Sequence, residues 1–294
     1  MAIFKGAAVA LITPTNADGS LNYDSMGKLI DYQIENGTDA FVICGTTGEP
    51  STMTHEEHIE TIRFAVSYIN KRVPVIAGAS SNCTATEVYL SQESKKAGAD
   101  ALLLVSPYYN KATQNGLYEH FGAAARAVDL PIILYNIPGR TGVNIQPATV
   151  KRLVDDFDNI VGMKDATGNI EQTMSTMALC EGKLDLYSGN DDQITPILAA
   201  GGLGVISVLS HVAPRDTHNI VEYFLTGRVQ ESIALQNKYH ALIKALFSEV
   251  NPIPVKKALN LMGMNAGPLR LPLTEMEPKN AAVLEAEMKK LGII

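Results

Sequence analysis

Lys164 closes a short apolar run, Ile160-Val161-Gly162-Met163, and a lysine in that place can do covalent chemistry. Alternation along an extended strand puts it on the face of Gly162 and opposite Val161 and Met163, which is the inward face if the strand belongs to a barrel. Burial penalises the ammonium and lowers its pKa, leaving a neutral amine free to attack a carbonyl carbon, the chemistry of Schiff-base formation. The alternative is a lysine that caps the strand and reaches solvent or pairs with Asp165.

Three other segments carry complementary groups. Tyr135, in Tyr135-Asn136-Ile137-Pro138-Gly139-Arg140-Thr141-Gly142, can relay protons, and Arg140 can hold a carboxylate through two parallel hydrogen bonds. In Gly45-Thr46-Thr47-Gly48-Glu49 the glycines permit unusual dihedrals, so that successive N–H groups can converge on a carboxylate beside the hydroxyls of Thr46 and Thr47. Ser106-Pro107-Tyr108-Tyr109-Asn110 offers paired tyrosines that line a pocket or pack an interface. Each has a plainer alternative: a core aromatic for Tyr135, a solvated charge for Arg140, an ordinary glycine-rich loop for Thr46 and Thr47. Amine, proton relay, carboxylate clamp and N–H cradle work together only if the fold brings these segments to one face.

Short apolar runs bounded by Gly, Pro, Asn or Asp supply that fold: Ala7 to Ile12, Ala40 to Cys44, Val73 to Ala77, Ala101 to Val105, Ile132 to Tyr135, Ile160 to Lys164, Leu184 to Tyr187 and Val205 to Leu209. Amphipathic segments such as Tyr23 to Asn36 and His55 to Asn70 lie between them. Thr54-His55-Glu56-Glu57 and Thr84-Ala85-Thr86-Glu87 both fit a capping box, and Gly37 and Gly98 fit positions just past a helix end. Eight βα units predict an α/β protein with a (β/α)8 TIM barrel over residues 1–227, its active site at the C-terminal ends of the strands. A doubly wound sheet is disfavoured, because Thr13-Pro14 follows the first run where a dinucleotide-binding opening needs G-x-G-x-x-G. Past Gly227 the strand signals stop, and Val229 to Phe247, Pro254 to Met262 and Lys279 to Leu291 predict a C-terminal helical extension, residues 228–294, packed on the barrel or on another subunit.

Composition narrows the function. The net charge is −7 with no basic stripe, which argues against nucleic acid or an anionic membrane surface as partner and favours small-molecule chemistry. Cys44, Cys83 and Cys180 lack metal or disulfide spacing and are expected to be buried, reduced thiols. No stretch of about 18 or more apolar residues predicts a membrane span, and the opening residues lack a long apolar leader, so the cytoplasm is the expected location. His55 and His58 stand three apart but outside an H-E-x-x-H pattern and without a third ligand, so no metal site is expected there.

The Gly45-Thr46-Thr47-Gly48-Glu49 turn, the Tyr135 to Gly142 loop and Gly162-Met163-Lys164-Asp165, with Asn251-Pro252-Ile253-Pro254-Val255-Lys256 and Leu269-Arg270-Leu271-Pro272-Leu273, resemble the dihydrodipicolinate synthase family over nearly the whole chain. That family lies in the pyruvate-lyase group that also contains N-acetylneuraminate lyase. The resemblance implies that Lys164 forms a Schiff base with pyruvate, without metal or organic cofactor, and that the derived enamine attacks aspartate 4-semialdehyde at the entry to diaminopimelate and lysine synthesis. Tyr135, Thr46 and Tyr109 would form a proton relay, Tyr109 reaching into a neighbouring subunit. Thr46 and Thr47 N–H groups would hold the pyruvate carboxylate, Arg140 that of the semialdehyde, while Gly189 and the Ile206 carbonyl would line the pocket. A homotetramer built as a dimer of dimers is implied as well. His55, His58, Asn82 and Tyr108 match a lysine effector site, but Thr86 replaces its glutamate and Pro50 follows Glu49, so weak or absent lysine inhibition is expected.

Other readings are a neuraminate lyase or keto-deoxy sugar-acid aldolase using the same lysine, and a regulatory barrel without chemistry, which the presence of Lys164 and Tyr135 disfavours. A phosphate-binding barrel is prompted by Gly201-Gly202-Leu203-Gly204, but that run precedes the eighth strand and so belongs at the wrong end of the barrel.

Overall fold

Eight parallel strands hydrogen-bond in chain order and close on themselves: β1 (Gly6–Ala10), β2 (Ala40–Ile43), β3 (Val75–Gly78), β4 (Ala101–Val105), β5 (Ile132–Asn136), β6 (Ile160–Asp165), β7 (Asp185–Ser188) and β8 (Gly204–Ser207). The computed structural model describes residues 2–294. Around the barrel run α1 (Tyr23–Glu35), α2 (His55–Ile69), α3 (Thr84–Ala97), α4 (Gln114–Ala127), the single turn α5 (Pro138–Thr141), α6 (Pro147–Asp156), α7 (Ile170–Cys180), α8 (Ile194–Ala199) and α9 (Pro214–Leu225). The predicted (β/α)8 barrel is the observed fold, with strand ends moved by one or two residues. Ile12, for instance, leaves the ladder because its N–H donates to Nε2 of buried His211 at 3.0 Å.

The strands are apolar on both faces because both are covered. Ala8, Val42, Ile76, Leu103, Ile133 and Ile206 fill the barrel, while Val9, Phe41, Leu102, Leu134 and Met163 meet the helices. The N-terminal end of the barrel is plugged by Phe4 stacked on Tyr187 at 4.3 Å, with the Tyr187 hydroxyl donating to the Phe4 carbonyl at 3.0 Å. Gly204 pairs with Gly6 there, and a Cβ on Gly204 would lie 2.0 Å from the Gly6 oxygen. The Gly201 to Gly204 run therefore serves strand closure at the end remote from the site.

Of the two predicted capping boxes, one forms. Thr54 Oγ1 accepts from the Glu57 N–H, and the Glu57 carboxylate accepts from the Thr54 N–H. At α3 the box is absent: Cys83 holds the cap position without a side-chain bond, and Thr84 Oγ1 instead meets His120 Nδ1 at 2.9 Å. Glu87 is fully buried, its Oε1 2.9 Å from His120 Nε2. The reason lies in α3 itself, whose inner face carries Glu87, Ser91 and Ser94 about a turn apart, so one carboxylate oxygen is drawn to the imidazole of α4 while the other accepts from the Ser81 N–H at 3.4 Å and not from the Thr84 N–H. Cys44 and Cys180 are buried as expected, but Cys83 is exposed at that helix start.

After Gly227 the chain forms α10 (Val229–Leu246), α11 (Ile253–Leu261) and α12 (Pro278–Lys290). Tyr239, Leu242, Ile243, Leu246, Leu284 and Met288 join the same apolar core as the outer barrel residues. Each such buried Leu or Ile contributes about 1.5–3 kcal/mol. The extension packs on the barrel and sends Asn251 and Lys256 towards its C-terminal rim. No helix of the described residues is long and apolar enough to cross a membrane.

Candidate active site

Tyr135 and Lys164 stand opposite each other in the β5–β6 register, and both point into the barrel. Lys164 is 6% exposed, and its Nζ lies over the Tyr135 ring, 4.3 Å from the centroid. Burial, helped by Arg140 and opposed by Asp191, pulls the amine down to about 7, so near neutrality a large fraction is unprotonated. The alternative pairing with Asp165 does not form: Asp165 faces the other way, with Oδ1 accepting from the N–H and hydroxyl of Thr167 and Oδ2 from the Thr173 hydroxyl. Burial pushes the Tyr135 phenol up to about 12, against the pull of Arg140 and the Thr46 hydroxyl.

Space for the lysine stem depends on Gly189, just past β7. A Cβ there would fall 3.1 Å from Lys164 Cε and 2.7 Å from the Ala166 Cβ. Ile206, on β8, is buried in the inner cluster that also holds Tyr135 and Tyr187. Thr46 to Gly48 form one turn of 3-10 helix, so the N–H groups of Thr46 and Thr47 open that turn without intrahelical partners.

The turn and the arginine are tied together by the C-terminal extension. Asn251 Nδ2 donates to Thr47 Oγ1 at 2.8 Å, and the Asn251 carbonyl accepts from Arg140 Nη2 at 3.0 Å. One turn on, Lys256 is buried against Glu49, with Nζ 3.0 Å from Oε1 and 2.6 Å from the Pro268 carbonyl. The Asn251 to Lys256 segment stood out in the sequence, yet nothing local in it shows that it reaches the Thr46 turn. Asp191 was missed altogether; its only signal is a pair of acids three residues past a strand end. It is 2% exposed, and its Oδ2 accepts from the Val208 and Leu209 N–H groups at 3.0 and 2.8 Å.

A cavity of about 380 Å³ opens beside Tyr135, Thr46 and Arg140 and extends to His55, His58, Thr86, Tyr108 and Pro50. No carboxylate lines it among the described residues. His58 Nε2 is engaged by the Gly78 carbonyl at 2.7 Å, with burial lowering the ring's pKa, and His55 sits 5.9 Å from the Tyr89 ring. Asn82 braces Tyr108 by donating to its carbonyl at 3.1 Å. Tyr109 is not brought to the site within one chain: it is 89% exposed, with a left-handed φ of 73°.

A closed eight-stranded barrel with a buried amine, a tyrosine and an arginine at the C-terminal rim defines a barrel enzyme acting on a small molecule. The chain belongs to the dihydrodipicolinate synthetase family, whose model matches residues 3–291, and it is a lyase. It is 62% identical over 294 residues, all of both chains, to the 4-hydroxy-tetrahydrodipicolinate synthase of Lachnoclostridium phytofermentans. Among solved structures it is similar to a chloride-inhibited dihydrodipicolinate synthase from Acinetobacter baumannii complexed with pyruvate, at 43% identity, 99% of each chain and a TM-score of 0.96. It is also similar to the synthase of Cyanidioschyzon merolae with lysine bound, at 39% identity, 100% of each chain and a TM-score of 0.97.

Proposed function

We propose that the protein is a 4-hydroxy-tetrahydrodipicolinate synthase that condenses pyruvate with L-aspartate 4-semialdehyde through a Schiff base on Lys164, at the entry to diaminopimelate and lysine synthesis in the cytoplasm. The observation that carries this reading is the buried Lys164 amine, lowered to about 7 and lying against Tyr135. The amine attacks C2 of pyruvate, water leaves, and the resulting iminium draws electrons from the methyl carbon, which loses a proton to give an enamine. That carbon attacks the aldehyde of the semialdehyde. The semialdehyde's own amine then adds to the iminium carbon, closing the ring and freeing Lys164.

Tyr135 and Thr46 move protons in these steps together with Tyr109 of a neighbouring subunit, in a homotetramer built as a dimer of dimers. The Thr46 and Thr47 N–H groups hold the pyruvate carboxylate, Arg140 holds that of the semialdehyde, and Gly189 and the Ile206 carbonyl line the pocket. The iminium is itself the electron sink, so the reaction requires no metal or organic cofactor. The pyruvate complex of the Acinetobacter baumannii relative supports the first substrate.

Substrate comparison tests the proposal against the sugar-acid aldolases. Pyruvate with aspartate semialdehyde is expected to turn over, and N-acetylneuraminate and keto-deoxy sugar acids are not. Efficient cleavage of a sugar acid with no turnover of the semialdehyde would replace this reading.

A further inference from the structure

Lys164 nitrogen carries a positive charge in the proposed cycle as the iminium, and in the free enzyme whenever the amine is protonated, in a site where the side chain is buried. Two of the influences on it, burial and the Arg140 guanidinium, oppose that charge. The Tyr135 ring face under Nζ offers attraction but no counter-charge. The carboxylate whose field favours the charge is Asp191, from the turn after β7.

Burial pushes the Asp191 carboxyl up, while the Ser207 hydroxyl, the Leu209 and Val208 N–H groups and the Lys164 charge favour its anion. Oδ2 is saturated by the N–H groups of Val208 and Leu209 at 3.0 and 2.8 Å, which fasten the turn after β7 to the end of β8 just past Ile206. Oδ1 is buried and has no well-formed hydrogen bond among the described residues. A buried acceptor left open costs about 1–3 kcal/mol, more when charged, and so calls for a compensating role. Gly189, two residues earlier in the same turn, lies against Lys164 Cε.

We propose that Asp191 is a positioning residue for this reaction, its open oxygen serving as the counter-charge for the nitrogen of Lys164 as ammonium and then as iminium. The inference rests on the Schiff-base function proposed above. Through Oδ2 the same side chain also fixes the segment after Ile206, so one carboxylate sets both the charge and the wall of the pocket. Tyr135, Arg140 and Asp191 are the titratable groups acting on Lys164 from β5, the turn after it and the turn after β7.

Asp191→Asn separates the two tasks, because its amide oxygen still accepts from Val208 and Leu209. Borohydride trapping of pyruvate on Lys164 is followed against pH in both proteins, alongside the KM for pyruvate. Losing the counter-charge lowers the lysine pKa, so the acid limb of trapping moves down by about one pH unit or more while KM rises several-fold. An unshifted limb with unchanged KM overturns the inference and leaves the Schiff base standing. Absence of trapping in the wild type overturns both. Should Asp191→Asn fail to fold, NMR of the wild type with carboxyl-labelled aspartate decides: a buried carboxyl signal that shifts on pyruvate addition is expected, and no shift contradicts the proposal.

Discussion

Lys164 is kept reactive at the expense of the fold. A base whose pKa falls from 10.5 to about 7 on folding binds its proton more tightly in the unfolded chain, so it destabilises the native state. The penalty is fully present below about pH 7 and disappears as the pH rises towards 10.5. Lys164→Met is therefore expected to abolish activity yet raise stability by about 1–3 kcal/mol at neutral pH, part of the relieved penalty being offset because Asp191 loses the cation it faces. Urea unfolding at neutral and alkaline pH should show that gain shrinking as the pH climbs; a variant less stable than wild type would contradict it. Residue chemistry was legible for Lys164 and Tyr135, because strand alternation gives the facing of each and the barrel gives their neighbourhood. It was not legible for Asp191, whose meaning depends on the Val208 and Leu209 N–H groups some seventeen residues away in the chain.

Elements decide where the site's polar groups point. The Thr46 turn is clamped from behind by the buried Glu49–Lys256 pair and from the side by Asn251. Lys256→Met leaves the Glu49 carboxylate buried without its cation and is expected to cost about 3–5 kcal/mol, much of it recovered in the Glu49→Gln/Lys256→Met double variant. Chemical denaturation of the three variants checks this, and strictly additive losses would contradict the pairing. The eight strands and the helices past Gly227 could be located from apolar runs and punctuation because burial on both faces writes itself into composition. The capping signature at Thr84 misled for a physical reason: Thr and Glu three apart also suit a helix whose inner face is polar, and the imidazole of His120 on α4 outbid the helix end for both side chains.

At the scale of the whole molecule, the proposed chemistry is incomplete in one chain, since Tyr109 is 89% exposed and does not line the cavity beside Tyr135. Tyr109→Phe is expected to lower kcat by about a hundredfold or more with little change in subunit stability. Hybrids assembled from Tyr109→Phe and Lys164→Ala subunits should regain activity, and hybrids as inactive as their parents would show that Tyr109 serves no neighbouring site. The cavity shared by Tyr135, Arg140, His55 and Thr86 lacks a carboxylate for an amino group, and the nearest candidate in sequence, Glu87, is committed to His120. Millimolar lysine is accordingly expected to leave the steady-state rate nearly unchanged, and strong inhibition would contradict that account of the cavity. The activity effects expected at Lys164 and Tyr109 presuppose a covalent bond at one nitrogen. Borohydride reduction with pyruvate, followed by peptide mass mapping, tests that bond directly: the account predicts a reduced pyruvate adduct on Lys164 with loss of activity, and an active enzyme whose Lys164 stays unmodified would contradict it.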